Sequence, residues 1–336
     1  MMGLYMLRHI LWKKSGKSQS DFYLEDSKIC MNILITGAQG QLGTELKKRL
    51  GGKGSIFYTD REELDITDEH AVKRYIELNQ INLVINCAAY TAVDKAEDES
   101  ALADAVNHLG AKYLARYGKS IIHISTDYVF DGTGCLPYKP EDVTNPVSVY
   151  GSTKLAGEKA VLSEAETALI IRTAWVYAAE GKNFVKTMLR LGKEKEKLTV
   201  VADQVGSPTH AGDLAEAIIK LLPQVKAGTK AVYHYTNEGV CSWYDFATAI
   251  MEESGLDCYV EPIETWQYPT KAKRPAYSVL NKASIKKDFS LTIRHWREAF
   301  RDCIQEIQAQ TEEKKQMEEK KQRQQKQANQ AKEAEQ

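Results

Sequence analysis

Three short segments of the chain carry side chains that together could transfer a hydride and a proton. In chain order they are a glycine-rich segment at 37–43, a Ser-Thr-Asp segment at 125–127, and a stretch that runs from Tyr150 to Lys154. If the last stretch is helical, its spacing of four places the phenol and the ammonium group on one face, one turn apart. A cation there favours the phenolate. Since tyrosine ordinarily ionises at a pKa of about 10, an acid or base that works near neutral pH needs such a neighbour.

The glycine-rich segment has the spacing of a nucleotide-binding loop. Gly37, Gly40 and Gly43 follow a short apolar run and precede a helix-like stretch that reaches about Leu50. Glycines at these positions allow a tight turn, a close approach of the backbone to a pyrophosphate, and packing of the next helix on the sheet. The N-terminus of that helix would face the phosphates. We therefore expect the cofactor site to include the three glycines together with Gln39, Gln41 and Leu42.

The residues after the second predicted strand bear on the choice of cofactor. Asp60 and Arg61 lie about twenty residues beyond the glycine loop. An acid at this place binds a ribose 2′-hydroxyl, whereas a cation accepts a 2′-phosphate. Both residues are present, so the sequence leaves NADH and NADPH open. Asp65 and Ile66 follow; they either meet the adenine edge or, in the case of the aspartate, cap a helix.

Strand and helix signals alternate along the middle of the chain. Short apolar runs with helical stretches between them predict strands at residues 33–36, 55–59, 83–87, 121–125 and 168–173. This alternation implies right-handed crossovers and an α/β fold with a doubly wound parallel sheet, the Rossmann architecture. After about Trp175 the alternation weakens and Pro, Trp and Tyr become more frequent, which predicts a smaller C-terminal substrate lobe.

The pattern divides the 336 residues into four parts. Residues 1–30 have no clear period and are expected to be an extension outside the fold, with Met31 as the natural start. Residues 31–174 are expected to form the NAD(P)-binding Rossmann domain, and residues 175–305 the substrate-binding lobe, with some chain returning to the Rossmann domain. Residues 306–336 are a charged, low-complexity tail, rich in Lys, Glu and Gln. The tail is either a solvated helix or disordered, and partner binding is its alternative role.

The composition excludes several other classes of protein. The formal net charge is −1, so there is no basic excess of the kind that nucleic-acid binding requires. The six cysteines are far apart and include no Cys-x-x-Cys pair, which argues against a disulfide framework or a zinc site. No apolar run is long enough to span a bilayer. A cytoplasmic protein without metal ligands is therefore expected.

Segment 125–127 comes at the carboxyl end of a predicted strand, where open α/β sheets bind their ligands. A hydroxyl there can donate a hydrogen bond to a substrate carbonyl while Tyr150 delivers the proton. Asp127 is either a second acid or a structural turn residue. The segment and the Tyr150–Lys154 pair thus form the predicted catalytic set.

The glycine loop and the Tyr-x-x-x-Lys pair resemble the extended short-chain dehydrogenase/reductase family. Within that family the resemblance narrows to the dTDP-4-dehydrorhamnose reductases over roughly residues 31–300. It rests on further strings at 86–97 (NCAAYTAVDKAE), 125–132 (STDYVFDG), 172–177 (RTAWVY), 183–188 (NFVKTM), 203–209 (DQVGSPT) and 274–275 (RP). Cys87 stands where an alanine is more usual in the family.

The resemblance implies NAD(P)H-dependent reduction of the C4 ketone of dTDP-4-dehydro-L-rhamnose to dTDP-L-rhamnose. In the implied mechanism Tyr150 protonates the developing alkoxide and Thr126 hydrogen-bonds the same oxygen. Lys154 lowers the pKa of Tyr150 and holds the nicotinamide ribose. The resemblance also implies cofactor contacts at Ala88, Ala89 and Tyr90, sugar contacts at Thr91, Tyr128 and Trp175, and nucleotide-diphosphate contacts at Asn183 and Arg274.

Residue chemistry separates the alternative functions. A sugar-nucleotide 4,6-dehydratase of the same family needs an Asp-Glu pair after the threonine; Tyr128 stands in the place of the glutamate, which disfavours elimination. An epimerase remains chemically conceivable. The chain also resembles the regulatory β subunit of methionine adenosyltransferase, a nucleotide-binding partner protein that need not keep Thr126, Tyr150 and Lys154. Some family members resemble magnesium-bridged dimers. No dedicated carboxylate cluster predicts Mg²⁺ here, and a homodimer is left open.

Overall fold

The structure, a computed structural model, describes residues 31–51 and 56–334. Its strands are β1 (Ile33–Thr36), β2 (Ile56–Thr59), β3 (Leu83–Asn86), β4 (Ser120–Thr126), β5 (Thr167–Thr173), β6 (Val176–Tyr177), β7 (Lys197–Val201), β8 (Val205–Gly206), β9 (Thr209–His210), β10 (Lys230–His234), β11 (Cys241–Ser242) and β12 (Tyr259–Ile263). The expected N-terminal extension, residues 1–30, lies outside the described residues.

The α-helices of the described residues alternate with these strands. They are α1 (Gln41–Leu50), α2 (Glu69–Leu78), α3 (Val93–Ala96), α4 (Ser100–Asp104), α5 (Ala111–Gly118), α6 (Val149–Glu164), α7 (Phe184–Glu194), α8 (Ala211–Leu221), α9 (Trp243–Ser254), α10 (Ala283–Asp288) and α11 (Trp296–Ala334). One turn of π-helix, Ala105–Gly110, leads into α5.

A six-stranded sheet in the order β2-β1-β3-β4-β5-β10 forms the centre of the molecule, and all neighbouring strands are parallel. The chain moves outward from β1 to β2 and then crosses back to β3 on the other side of β1. A crevice therefore opens at the carboxyl ends of β1 and β3, the topological switch point. The predicted doubly wound parallel sheet is confirmed. The second predicted strand corresponds to β2, Ile56–Thr59; its predicted first residue, Ser55, lies outside the described residues.

Strands β1, β3 and β5 are buried along their whole length because helices cover both faces of the sheet. On one face, Leu46 of α1 and Ile218 of α8 belong to the core. On the other face, Leu114 of α5 and Val161 of α6 fill the equivalent layer. Each fully buried side chain of this size contributes about 1.5–3 kcal/mol relative to exposure. The two layers thus hold the switch point rigidly.

The C-terminal lobe has an aromatic core of its own. Parallel strands β7 and β12 pair over five residues, and α7 and α9 pack beside them. Phe246 lies at the centre, with its ring 5.4 Å from that of Phe300 and 5.6 Å from that of Trp296. Since Trp296 and Phe300 lie in the first turns of α11, this helix anchors the lobe before it leaves the core.

Helix α11 continues through most of the expected low-complexity tail. It spans 39 residues, and the described side chains at 311–322 are all exposed. Among the two alternatives raised by the sequence, the structure shows a solvated helix. The portion of α11 at 311–322 lacks a buried apolar face. It therefore gains its stability from local propensity and i,i+4 side-chain pairs rather than from burial.

The buried His234 is expected to make the fold sensitive to acid. Its Nδ1 lies 3.0 Å from the carbonyl oxygen of Tyr138, and burial together with the nearby Arg172 lowers its pKa from 6.5 to about 3. Below pH 6.5 the unfolded chain binds a proton that the folded chain does not. The free energy of unfolding should therefore fall by about 1.4 kcal/mol per pH unit as the pH drops from 6.5 toward 3.

This contribution can be isolated by urea unfolding of three proteins at pH 7 and pH 5. His234→Gln should remove about 2 kcal/mol of the acid-induced loss that the wild-type protein shows. His70→Gln, at an exposed position of α2, is the matched control and should keep the full loss. Equal pH dependence in all three proteins would show that His234 is not the buried neutral histidine described.

Candidate active site

A cleft of about 910 Å³ lies over the switch point, between the carboxyl ends of the central strands and the C-terminal lobe. The three predicted catalytic residues line it. The predicted cofactor residues also line it, with the exception of Gly43. Of the predicted substrate residues, Thr91, Tyr128 and Trp175 line the cleft, whereas Asn183 and Arg274 do not. The structure therefore brings most of the predicted site together in one place.

The glycine loop leaves no room for side chains where it meets its neighbours. Gly37 has a φ of +66°, and a Cβ added to it would lie 2.7 Å from the backbone nitrogen of Ala88. A Cβ on Gly43 would lie 2.3 Å from the carbonyl oxygen of Gly37. Gly40, which precedes α1, provides no side-chain cap for that helix. The first N–H groups of α1 are therefore available to an anionic group, as a pyrophosphate cradle requires.

Asp60 joins the second strand to the glycine loop. Its Oδ2 accepts a hydrogen bond from the backbone nitrogen of Gln39 at 3.0 Å. The side chain of Arg61 is 78% exposed and lies 3.6 Å from the carboxylate of Asp65. Asp60 and Arg61 thus both line the cleft. An acid for a ribose 2′-hydroxyl and a cation for a 2′-phosphate are therefore both present there.

The capping alternative for Asp65 is wrong. The N-cap of α2 is Asp68, whose carboxylate accepts hydrogen bonds from two backbone nitrogens of the first turn. Asp65 instead accepts from the backbone and the hydroxyl of Thr67, at 2.9 and 2.6 Å. These bonds shape the loop that carries Ile66 along the cleft wall.

Tyr150 and Lys154 lie one turn apart on α6, as predicted. The helix begins after Ser148, whose hydroxyl accepts a hydrogen bond from the backbone nitrogen of Gly151. Gly151 is required because an added Cβ would lie 2.2 Å from the carbonyl oxygen of Tyr128. Lys154 is only 2% exposed, and its Nζ donates to the carbonyl oxygen of Ile124 at 2.6 Å.

The predicted effect of Lys154 on the pKa of Tyr150 stays a prediction, because burial is the largest influence on this phenol. Burial raises the pKa of Tyr150 to about 12, and a hydrogen bond with Thr126 opposes this rise. Burial likewise lowers the pKa of Lys154 to about 8. The reason is that desolvation outweighs charge interactions at a site this dry. At neutral pH the phenol is protonated, which is the form that can donate a proton to a ketone oxygen.

The two hydroxyls at the end of β4 face opposite sides of the strand. Ser125 donates to the carboxylate of Glu158, away from the reacting centre. Thr126 lies against Tyr150 and donates to Oδ1 of Asp127 at 3.0 Å. Thr126 is therefore the hydroxyl positioned for a substrate oxygen.

Asp127 is buried at the inner wall of the cleft. Burial raises the pKa of its carboxyl to about 6. Its Oδ2 has no hydrogen-bond partner within residues 31–51 and 56–334. An unpaired buried oxygen is costly, and a substrate hydroxyl could satisfy it. Asp127 also begins a turn, since its carbonyl oxygen accepts a hydrogen bond from the backbone nitrogen of Phe130. Its role as a turn residue is therefore shown, and its role as a second acid stays a prediction.

Stacked indoles form the lobe side of the cleft. Trp175 has a φ of +48°, unusual for a bulky residue, and its ring lies 3.6 Å from that of Trp243 at an angle of 12°. Tyr128 meets Tyr150 edge-on at 5.7 Å. Sequence reasoning missed Trp243. The capping box of Ser242 and Asp245 marks the start of its helix, and this signal could have located it.

The two predicted diphosphate ligands are engaged elsewhere. Asn183 caps α7 by accepting from the backbone nitrogen of Lys186, and its Nδ2 donates to Oε1 of Gln41 at 2.8 Å. Arg274 forms a two-pronged ion pair with Asp94 at 2.6 and 3.1 Å. Both side chains therefore hold the two lobes together in this structure and lie outside the cleft lining.

Metal-binding clusters and membrane-spanning helices are both absent from the part of the chain that the structure describes. Within the described ranges, no group of three His, Cys, Asp or Glu side chains is placed to hold a metal ion. No helix in that same part of the chain combines the length and the apolar character needed to cross a membrane.

A parallel sheet whose switch point holds a glycine loop and a buried Thr-Tyr-Lys set is the hallmark of the extended short-chain dehydrogenases/reductases. The chain belongs, within that class, to the family described as RmlD substrate binding domain, whose model matches residues 31–309.

The chain is similar to several proteins over about four fifths of its length. The spore coat polysaccharide biosynthesis protein SpsK of Bacillus subtilis is 44% identical over 279 residues, which cover 82% of this chain and 97% of SpsK. The crystal structure of a dTDP-4-dehydrorhamnose reductase from Clostridium acetobutylicum is 45% identical with a TM-score of 0.79, covering 83% and 100% of the two chains. That of the Bacillus anthracis reductase in complex with NADP is 38% identical with a TM-score of 0.78, covering 82% and 98%.

Proposed function

We propose that this protein reduces the C4 ketone of dTDP-4-dehydro-L-rhamnose to dTDP-L-rhamnose with NADPH or NADH. The observation that carries the proposal is the buried set of Thr126, Tyr150 and Lys154 at the switch-point cleft. The similarity to dTDP-4-dehydrorhamnose reductases over four fifths of the chain supports the choice of substrate.

The residues that line the cleft suit a nicotinamide dinucleotide in their chemistry. The glycine loop and the N-terminus of α1 would hold the pyrophosphate, and Asp60 or Arg61 the adenosine ribose. Ala88, Ala89 and Tyr90 would line the path toward Tyr150. When bound there, the nicotinamide supplies the hydride. Residues 31–174 would thus bind the cofactor, and residues 175–305 would complete the sugar pocket while returning β10 to the sheet.

The protein's own groups would deliver the proton and orient the ketone. Thr126, whose hydroxyl donates to Asp127 in the structure, would turn this proton to the C4 oxygen and so place that oxygen beside the phenol of Tyr150. As C4 gains the hydride, Tyr150 gives its proton to that oxygen, the C=O π bond is lost and an alcohol forms. Lys154 stabilises the phenolate that remains until solvent returns the proton. Oδ2 of Asp127, which lacks a hydrogen-bond partner within the described residues, would accept a hydrogen bond from a hydroxyl of the sugar.

The proposal is tested by the loss of absorbance of NADPH, and in parallel of NADH, when the purified protein meets enzymatically generated dTDP-4-dehydro-L-rhamnose. Rapid oxidation is expected with at least one cofactor. Tight cofactor binding without oxidation would contradict the proposal and favour the regulatory-subunit alternative. The cytoplasmic location and the homodimer considered from the sequence remain predictions.

The stacked indoles are expected to set the affinity for the sugar nucleotide. Trp243→Leu removes the surface that holds Trp175 in its strained conformation, so the KM for the sugar nucleotide should rise roughly fivefold to tenfold. The Kd for NADPH should not change. Trp266→Leu, at a 74% exposed position, is the matched control. KM is measured by steady-state kinetics at saturating NADPH. An unchanged KM in Trp243→Leu would show that Trp175 does not contribute to binding of the sugar nucleotide.

A further inference from the structure

A buried ion pair lies one helical turn beyond Lys154. Glu158 of α6 is 2% exposed and Arg172 of β5 is 4% exposed. The guanidinium donates to both carboxylate oxygens, from Nη2 to Oε2 at 2.7 Å and from Nε to Oε1 at 2.9 Å. Burying two charges costs several kcal/mol per ion before their attraction is counted. A pair kept one turn beyond Lys154, and about two turns beyond the proposed acid, calls for a role other than stability alone.

Glu158 also fixes the orientation of the strand that carries Thr126. The hydroxyl of Ser125 donates to its carboxylate. Since successive side chains of a strand point to opposite faces, this bond turns Thr126 toward the cleft and Tyr150. One carboxylate therefore ties α6, β4 and β5 together at the level of the reacting groups.

The same carboxylate is a negative charge one turn after the buried ammonium of Lys154 along the helix. Tyr150 lies one turn before this ammonium on α6 and Glu158 one turn after it. Within the described residues, the groups that interact with its charge from the elements packed against α6 are His123 of β4 and Cys87 after β3. Burial keeps the last two neutral, since it lowers the pKa of His123 and raises that of Cys87 to about 12. Among these groups, Glu158 makes the largest contribution against the desolvation of the ammonium, ahead of Cys87.

We propose that Glu158 is a positioning residue for the proton transfer: held by Arg172, it keeps Lys154 charged and keeps Thr126 turned toward Tyr150. The proposal rests on the proposed function in one respect, namely that Tyr150 is the acid. The effect of the Glu158 charge on Lys154 does not depend on which substrate is reduced.

The direct test is an NMR titration of the full chain labelled with ¹³C at lysine Cε, in which Lys154 is assigned by the signal missing from Lys154→Met. In Glu158→Gln the pKa of Lys154 should fall by about one unit. The double variant Glu158→Gln/Arg172→Met leaves no unpaired buried charge, and it replaces the single variant if that one does not fold. Its Lys154 should shift in the same direction.

Glu164→Gln is the matched control, because it removes a carboxylate from the same helix where Glu164 pairs with Arg116 at the surface. Its Lys154 titration should equal that of the wild type. In turnover, the alkaline limb of the kcat–pH profile should move to lower pH in the Glu158 variants by the same shift and stay in place in the control.

The two readouts separate the possible failures. An unchanged Lys154 titration in the Glu158 variants would overturn the positioning role, whatever the enzyme turns over. If the Lys154 titration shifts in the Glu158 variants but the wild-type protein oxidises no cofactor, the charge effect is supported and the proposed function is contradicted. A shifted titration with an unmoved kcat–pH limb would overturn the role in proton transfer.

Discussion

Tyr150→Phe should lower kcat for dTDP-4-dehydro-L-rhamnose by about 10²–10⁴-fold, the range that a positioned general acid contributes. The variant loses one oxygen from a buried ring and keeps the edge-on contact with Tyr128. The fold and the Kd for NADPH should therefore change little. The loss should be confined to the chemical step, which single-turnover kinetics with NADPH measures directly.

Tyr117→Phe provides the matched control for this experiment. Its hydroxyl also forms a hydrogen bond, to Oε1 of Glu69 at 2.9 Å, but it lies on α5 outside the cleft. Its kcat should equal that of the wild type. Near-wild-type turnover in Tyr150→Phe would show that another group delivers the proton, and Asp127, whose pKa lies at about 6, would be the next to replace.

Gly43→Ala should destabilise the protein although alanine is the better helix former. On propensity alone the change would stabilise α1 by about 1 kcal/mol. The added Cβ, however, would lie 2.3 Å from the oxygen of Gly37 and 2.6 Å from Cα of Ala38, both of them backbone atoms. Overpacking of this kind costs about 1–3 kcal/mol. Because the glycine loop must shift, the Kd for NADPH should rise roughly tenfold or more.

Urea unfolding and a fluorescence titration with NADPH measure both effects. Gly228→Ala is the control, because it strains the backbone without creating a steric contact. The φ of Gly228 is +81°, and nothing lies within 4 Å of the added Cβ. It should lose about 1 kcal/mol of stability and bind NADPH normally. A Gly43→Ala protein that is more stable than the wild type, with unchanged affinity, would mean that the loop is not packed as described.

The parts of the site that could be predicted are those encoded by local spacing. The glycines at 37, 40 and 43 directly follow a strand. On a helix, a tyrosine four residues before a lysine lies on the same face as that lysine. Neither feature needs knowledge of distant contacts. The alternation of strands and helices fixed the sheet in the same way, apart from β10, which returns to its edge after a long excursion through the lobe.

The parts that could not be predicted depend on residues far apart in the chain. Arg274 pairs with Asp94 across 180 positions, so its guanidinium faces a carboxylate rather than the cleft. Trp175 meets Trp243 only after the lobe has folded. The pKa of Tyr150 follows from desolvation by the assembled core, and no spacing rule reports the depth of burial. Local pattern thus identified the reacting groups, and tertiary packing decides their protonation.

Transfer of deuterium from the cofactor to the sugar tests the central claim most directly. NADPH carrying deuterium at C4 of the nicotinamide, as each of its two diastereomers, would be incubated with the protein and dTDP-4-dehydro-L-rhamnose. The product would be analysed by NMR and mass spectrometry. One diastereomer should place a single deuterium on C4 of dTDP-L-rhamnose, and the other should place none. Deuterium at another carbon, or a product without deuterium from either diastereomer, would contradict the assignment of this chain as a C4 ketone reductase.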